Sequence, residues 1–498
     1  MMRKYFLVFS LCLPSLSFAG AEVPHINEKD LYLGEVFYYA RQGKYIDAIA
    51  RLEVGSERIF ESAKTNPDPL HFRFGNSTAS VGDIESSYRM SQRAESAIKE
   101  SLVSIVDPAI RNEATYYLSR ILLQRGQPQA ALQSIGKIAG KVPERVRDDE
   151  LLLRAEIYMA NDRFADAVPI LRELQNTKSN AGFASYNLGI ALLKSGQEKL
   201  GIEQLDNVGQ VDGNDDVTLS IKDKANLTLG YRLIDAKQPA LARQYLDRVR
   251  LNSPFSNKAL LGSGWANVES GSFDSALVPW SVLAKRSVSD QTVQEAMLGV
   301  PYAYAKLNLP GKAALLYDNA LKEFAKELSK LDASLNSVRE GKFLDYLLRH
   351  DLKQDMDWFS RLKALPKTPE TYYLLELMES RDFQNALRNY LDLNELSKRL
   401  ESLDESPNSL LYNLRRATTQ DTKGYDNQVR QIKSLVRDSK QKVEDLINKQ
   451  GHVLEIMAIN EFSQRRKYLQ VYQSQARFAM ADSYDRALKM QESSGDGK

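Results

Sequence analysis

The chain has 498 residues, 43% of them hydrophobic and 27% charged, with 67 Lys plus Arg against 65 Asp plus Glu. That apolar share can bury an extensive core in one domain, in several, or in an elongated array. Near-balanced charge exerts no long-range pull on a polyanion, which argues against a nucleic-acid binder, and a single cysteine, Cys12, excludes a disulfide framework.

Residues 1–19 read as a cleavable export signal, with cleavage as late as residue 21. Arg3 and Lys4 precede the apolar run Tyr5 to Leu13, and Pro14 leads to the small-residue sites Ser17-Phe18-Ala19 and Ala19-Gly20-Ala21. The apolar core of about ten residues is too short to cross a bilayer, and no later segment reaches the ~18 required, so no transmembrane segment is expected in the mature chain. Leu11, before Cys12, is not the small residue a lipid-anchor site requires. The expected location is the periplasm.

Residues 29–62 suggest a helical hairpin, with Gly43-Lys44-Tyr45 at its turn and the small residue Ala48 beyond. Residues 63–111 are an irregular helical segment of uncertain register, broken by Pro67, Pro69 and the polar stretch Gly75 to Gly82.

From residue 112 small residues recur in pairs twelve apart, and the pairs themselves recur about every 34 residues. They are Ser119 and Ala131, Ala155 and Ala167, Gly189 and Gly201, Gly230 and Ala242, Gly264 and Ala276. Two antiparallel helices approach closely only where a side chain is nearly absent, so these residues are expected at helix crossings. Larger residues fill the equivalent flanking places, with Ile135, Leu171, Leu205, Leu246 and Trp280 on the second helices. Turn signals such as Gly126-Gln127-Pro128, Ser195-Gly196-Gln197 and Ser270-Gly271-Ser272 separate the two helices of a unit.

This pattern resembles the tetratricopeptide-repeat family, which also has small residues at the eighth and twentieth places of its unit. The resemblance covers an array over residues 112–322, whose last unit is degenerate and carries Pro301, Pro310-Gly311 and Ala313, and extends loosely to residues 29–62. It implies an all-α solenoid of antiparallel helix pairs. It also implies a groove lined by the fifth and ninth residues of each unit: Tyr116, Arg120, Leu152, Glu156, Tyr186, Ile190, Leu227, Tyr231, Leu261 and Trp265. The alternative for each is that it only packs against a neighbouring first helix. The family's clamp for a peptide carboxylate uses Lys and Asn at such places, whereas these are largely aromatic or aliphatic. An apolar-anchored segment is therefore the expected ligand.

A heptad helix is expected over 317–350, on the stripe Tyr317, Leu321, Phe324, Leu328, Leu331, Leu335 and Val338. A further helical region follows over 351–420, one of its helices carrying Phe383, Leu387, Tyr390 and Leu391. Residues 421–491 form a coiled-coil-like stretch, with Val429, Ile432, Val436, Val443, Leu446, Val453 and Met457 on steps of three, four or seven. It reads as one very long helix or as two broken near Gly451, either folded back on the Tyr317 or Leu387 helix or paired in a homodimer. Residues 492–498 are expected to be a disordered tail.

No catalytic residue, metal ligand or cofactor site is assigned. The four histidines, His25, His71, His350 and His452, are scattered, and no glycine-lysine pair is followed by Ser or Thr as a phosphate loop requires. Ser-x-x-Lys occurs at Ser96, Ser134, Ser360 and Ser439 without companion motifs. The basic runs Arg415-Arg416 and Arg465-Arg466-Lys467 lie among acidic residues and read as solvated or partner-pairing charge. The sequence therefore points to a non-catalytic periplasmic adaptor for protein partners in a Gram-negative envelope assembly serving transport, secretion or energy transduction. A peptidoglycan-acting enzyme with a helical superstructure and a periplasmic holdase chaperone are the alternatives.

Overall fold

The computed structural model describes residues 107–177, 181–349, 364–417 and 423–495, together with residues 73–74, 77–78, 95, 98–99, 102 and 362. The export signal and the hairpin of 29–62 lie outside the described residues, as does most of 63–106. Within 63–111 the segments Arg73–Phe74 (β1) and Ser77–Thr78 (β2) pair antiparallel, the one departure from an all-helical reading among the described residues.

Twelve helices carry the repeat region: α1 (Pro108–Gln124), α2 (Pro128–Ile135), α3 (Glu144–Ala160), α4 (Phe164–Leu174), α5 (Ala181–Lys194), α6 (Glu198–Gln210), α7 (Asp216–Asp235), α8 (Pro239–Leu246), α9 (Ser256–Glu269), α10 (Phe273–Leu283), α11 (Gln291–Lys306) and α12 (Pro310–Arg339). They form six first-and-second pairs. Each pair turns on one residue in the left-handed region: Gly126, Asp162, Gly196, Lys237, Gly271 and Asn308. After that residue the next amide usually donates five places back, as Gln127 to Leu122, Gln197 to Leu192 and Leu309 to Tyr304, which closes the first helix on its own orphan carbonyls.

The small residues stand where space is absent. Ser119, Ala131, Ala155, Ala167, Ala242 and Ala276 are fully enclosed. A Cβ added to Gly189 would lie 2.5 Å from the Leu205 side chain, and one on Gly201 2.8 Å from Leu193; on Gly230 it would meet Leu246 and on Gly264 the Trp280 indole.

The described chain divides into two compact units. One comprises the described residues up to Ala236 with Gln244–Ser256; the other comprises Lys237–Arg243 with Asn257 onward.

In the second unit the sixth pair runs without a break into the heptad stripe. The boundary expected at 317 falls inside α12, which continues to Arg339 and stops at Gly341, φ 74°. Tyr317, Phe324, Leu331, Leu335 and Val338 are buried, with Leu321 and Leu328 packed beside them. Then come α13 (Lys342–Arg349), α14 (Leu374–Leu377), α15 (Arg381–Ala417) and α16 (Lys423–Gly495). α16 is one helix of 73 residues, unbroken at Gly451, and extends to Gly495 through most of the expected tail.

α16 folds back along both α12 and α15, antiparallel to each. Phe324 meets Tyr472 at 6.4 Å between ring centroids, and Arg466 Nε donates to Asp332 Oδ1 at 2.7 Å. Further toward its start, Gln450 donates to the Ala386 carbonyl at 3.2 Å and Lys440 pairs with Glu401 at 3.1 Å. The same helix runs parallel to α11, for Arg465 donates to the Ser289 carbonyl at 3.0 Å while Ala476, Ala479 and Met480 pack with Leu298 and Tyr304. Parallel to the last first helix and antiparallel to the last second helix, α16 takes the station that a following first helix would occupy.

Its buried stripe differs from the one expected. Val443 is buried, but Leu446 and Val453 are exposed, and the enclosed residues continue as Leu454, Ala458, Phe462, Leu469 and Ala476. Val443, Leu454, Arg465 and Ala476 are eleven apart. A straight helix drifts about 20° per heptad, so over many turns an eleven-residue period keeps one face inward where a seven-residue period does not.

Candidate partner-binding surface

In the first unit, Tyr116 and Tyr117 tilt against each other with centroids 5.0 Å apart, and the Arg120 guanidinium lies over both rings, 5.6 and 4.9 Å from their centroids. The hydroxyls of Tyr186 and Thr228 lie 3.2 Å apart, within hydrogen-bond reach across successive first helices. Burial drives the Tyr186 phenol up to about 12. The Lys224 ammonium stands 4.8 Å from the Tyr186 ring centroid, and its own burial lowers its pKa to about 8.

Of the residues expected in the groove of this unit, Tyr116, Tyr186 and Ile190 are buried and act as packing between first helices. Arg120, Leu152, Glu156, Leu227 and Tyr231 are half-buried and reach solvent. In the second unit Leu261 is buried, its carbonyl accepting from Trp280 Nε1 at 3.2 Å. Trp265 is half-buried, stacks edge-on to Trp280 at 5.0 Å, and donates Nε1–H to Glu295 at 2.7 Å. In the first unit, Lys224, Thr228 and Tyr117 also take part in the surface. They stand at other places than the fifth and ninth, Lys224 being the second residue of its unit.

The first residue of a unit has a role the spacing did not reveal. Asn112 donates to the carbonyls of Ala139 and Lys141, and Asp223, fully enclosed, accepts from the Arg250 backbone N–H at 3.1 Å and from its Nε at 2.8 Å. Asn257 accepts from Arg286 in the same way. Each ties the amino-terminal half of a first helix to the chain leaving the second helix of its pair.

The two arginines of the basic run Arg465-Arg466-Lys467 are engaged in the fold. Arg465 pairs with Glu461 and Ser289, and Arg466 with Asp332. Among the described residues no group of three His, Cys, Asp or Glu is arranged to hold a metal ion, and no helix is long and apolar enough to cross a membrane.

Helix pairs turning on a left-handed residue, crossing at small residues and stacked first helix on first helix define an all-α helical-repeat protein. The tetratricopeptide-repeat family model matches residues 227–281, which take in the Gly230, Ala242, Gly264 and Ala276 crossings, and the all-α fold of helix pairs is of tetratricopeptide-repeat type. No curated protein matches it. Among solved structures, the apo form of RapI is 11% identical, with 66% of this chain and 94% of that one covered at a TM-score of 0.40. A monomeric IFIT1 mutant with Gppp-AAAA is 15% identical over 68% and 82% at 0.26, and the P58(IPK) TPR domain 16% identical over 75% and 99% at 0.19.

Proposed function

We propose that this protein is an exported, non-catalytic adaptor of the periplasm that holds a protein partner within an envelope assembly for transport, secretion or energy transduction. The observation that carries the reading is the repeat array itself, whose first helices in the first unit present the half-buried Arg120, Leu227 and Tyr231, with Tyr116 and Tyr186 buried among those helices. Rings and a guanidinium already held by packing give large contact area at low entropic cost, which suits an apolar-anchored segment of a partner. The amino-terminal Arg3-Lys4, apolar run and small-residue sites support export.

The test is affinity capture from crosslinked envelope fractions, with the intact chain compared with a Leu227→Ser, Tyr231→Ala double variant whose far-ultraviolet circular dichroism matches it. One dominant partner, lost in the variant, is expected. Many weak clients would replace the reading with a holdase chaperone, and recovery of the chain in the cytosol would overturn the location.

A further inference from the structure

The last third of α16 is enclosed on one side and open on the other. Leu469 and Ala476 face inward with no exposure, whereas Phe478 is 80% exposed and Val471 47%. Lys467, Gln470, Ser474 and Gln475 surround these two on one shallow patch. In the preceding pairs a first helix is covered by the second helix that follows it in sequence. α16 stands at a first-helix station, yet its outward face leaves Val471 and Phe478 in the open.

We propose that this face pairs with the same face of a second copy, the two α16 helices running antiparallel about a two-fold axis between Ser474 and Gln475. A two-fold contact demands a self-complementary patch, and the order of residues meets that demand. Positions equidistant from the axis face each other, so Val471 meets Phe478 twice and Lys467 meets Asp482 twice, the charges closing both ends of the apolar contact. Charge also selects the orientation: an in-register parallel pair would set Lys467 on Lys467 and Asp482 on Asp482. Asp482 and Lys467 are both exposed, and the surface pair of Asp482 with Arg486, at 3.0 Å, leaves carboxylate lone pairs to accept from the second copy. One helix face buries a modest area, so the dimer is a weak one that forms with rising concentration. The inference is independent of the adaptor reading.

Sedimentation of the full mature chain across the micromolar range tests it, with helicity and unfolding midpoint checked for every variant. A monomer–dimer equilibrium is expected, weakened about tenfold or more by Phe478→Ser, whose side chain holds nothing inside the fold. Lys467→Asp and Asp482→Lys should each weaken it by about fivefold and together restore it. A monomer at all concentrations, a dimer indifferent to Phe478→Ser, or a double swap no better than its parents would overturn the proposal. Binding of a different protein's helix by the monomer would assign the face to that partner instead.

Discussion

Trp280 fills the space that Gly264 leaves empty: a Cβ on Gly264 would fall on the indole, and a Cβ on Gly299 of the next first helix would come within 2.7 Å of its opposite part. One large residue thus bridges two successive first helices because both present none. Overpacking such a site costs about 1–3 kcal/mol, and Gly264→Ala is expected to reach the top of that range in urea unfolding. Gly311, with nothing within 4 Å of its virtual Cβ, is the control, where alanine should gain roughly 0.5 kcal/mol. Equal effects at the two sites would refute the packing argument.

The Asp223 carboxylate, fully enclosed, is met by the Arg250 backbone and guanidinium. Asp223→Ala removes one partner of a buried pair and should cost about 3 kcal/mol by chemical denaturation. Asp223→Asn, which keeps an acceptor for the backbone N–H, should cost less. A loss under about 1 kcal/mol for the alanine variant would show the pair to be dispensable.

Lys224 is lowered to about 8 by burial, below its ordinary 10.5. Between these values the unfolded chain binds the proton that the folded chain has released, so stability rises with pH through that window. Tyr186, raised to about 12, acts oppositely only above its ordinary 10. Wild type should therefore gain about 2 kcal/mol from pH 8 to pH 10 relative to Lys224→Met, read as the difference between their denaturation curves. Parallel pH profiles would place Lys224 in water.

At the turn of the fourth pair Lys237 holds φ 59°, where its neighbours in register have glycine. Lys237→Gly should relieve about 1 kcal/mol of backbone strain, and Gly271→Ala, at φ 75°, should introduce a similar amount. Thermal melts of the two variants should shift in opposite directions.

Phe462, enclosed against Tyr373 at 5.4 Å between centroids, anchors α16 to the core of its unit. Phe462→Ala should cost about 3–4 kcal/mol and speed amide exchange over the neighbouring turns of the helix. Unchanged exchange there would mean that α16 is held elsewhere.

The periodicity of small residues, the turns and the stripe of α12 were readable from the chain because they are local rules repeated. A crossing excludes a Cβ wherever it occurs, and Ser119, Ala155 and Gly189 obey that rule one after another. The groove was less readable: Tyr116 and Tyr186 lie at the fifth place like Leu227, yet the first two are buried and the third reaches solvent. Helical spacing places a residue on a face but does not say whether the next helix covers it.

By itself the sequence determined that helices pair, where they turn and where they cross, since propensity, capping and the exclusion of side chains act within about 34 residues. Only the tertiary structure decided which side of α16 faces inward, that Gly451 interrupts nothing, and that the helix folds back on α12 and α15. Those outcomes depend on contacts more than 60 residues apart, such as Gln450 with Ala386 and Arg466 with Asp332. Over 73 residues a small phase error between a heptad and an eleven-residue period carries Leu446 and Val453 out to solvent and brings Leu454 in.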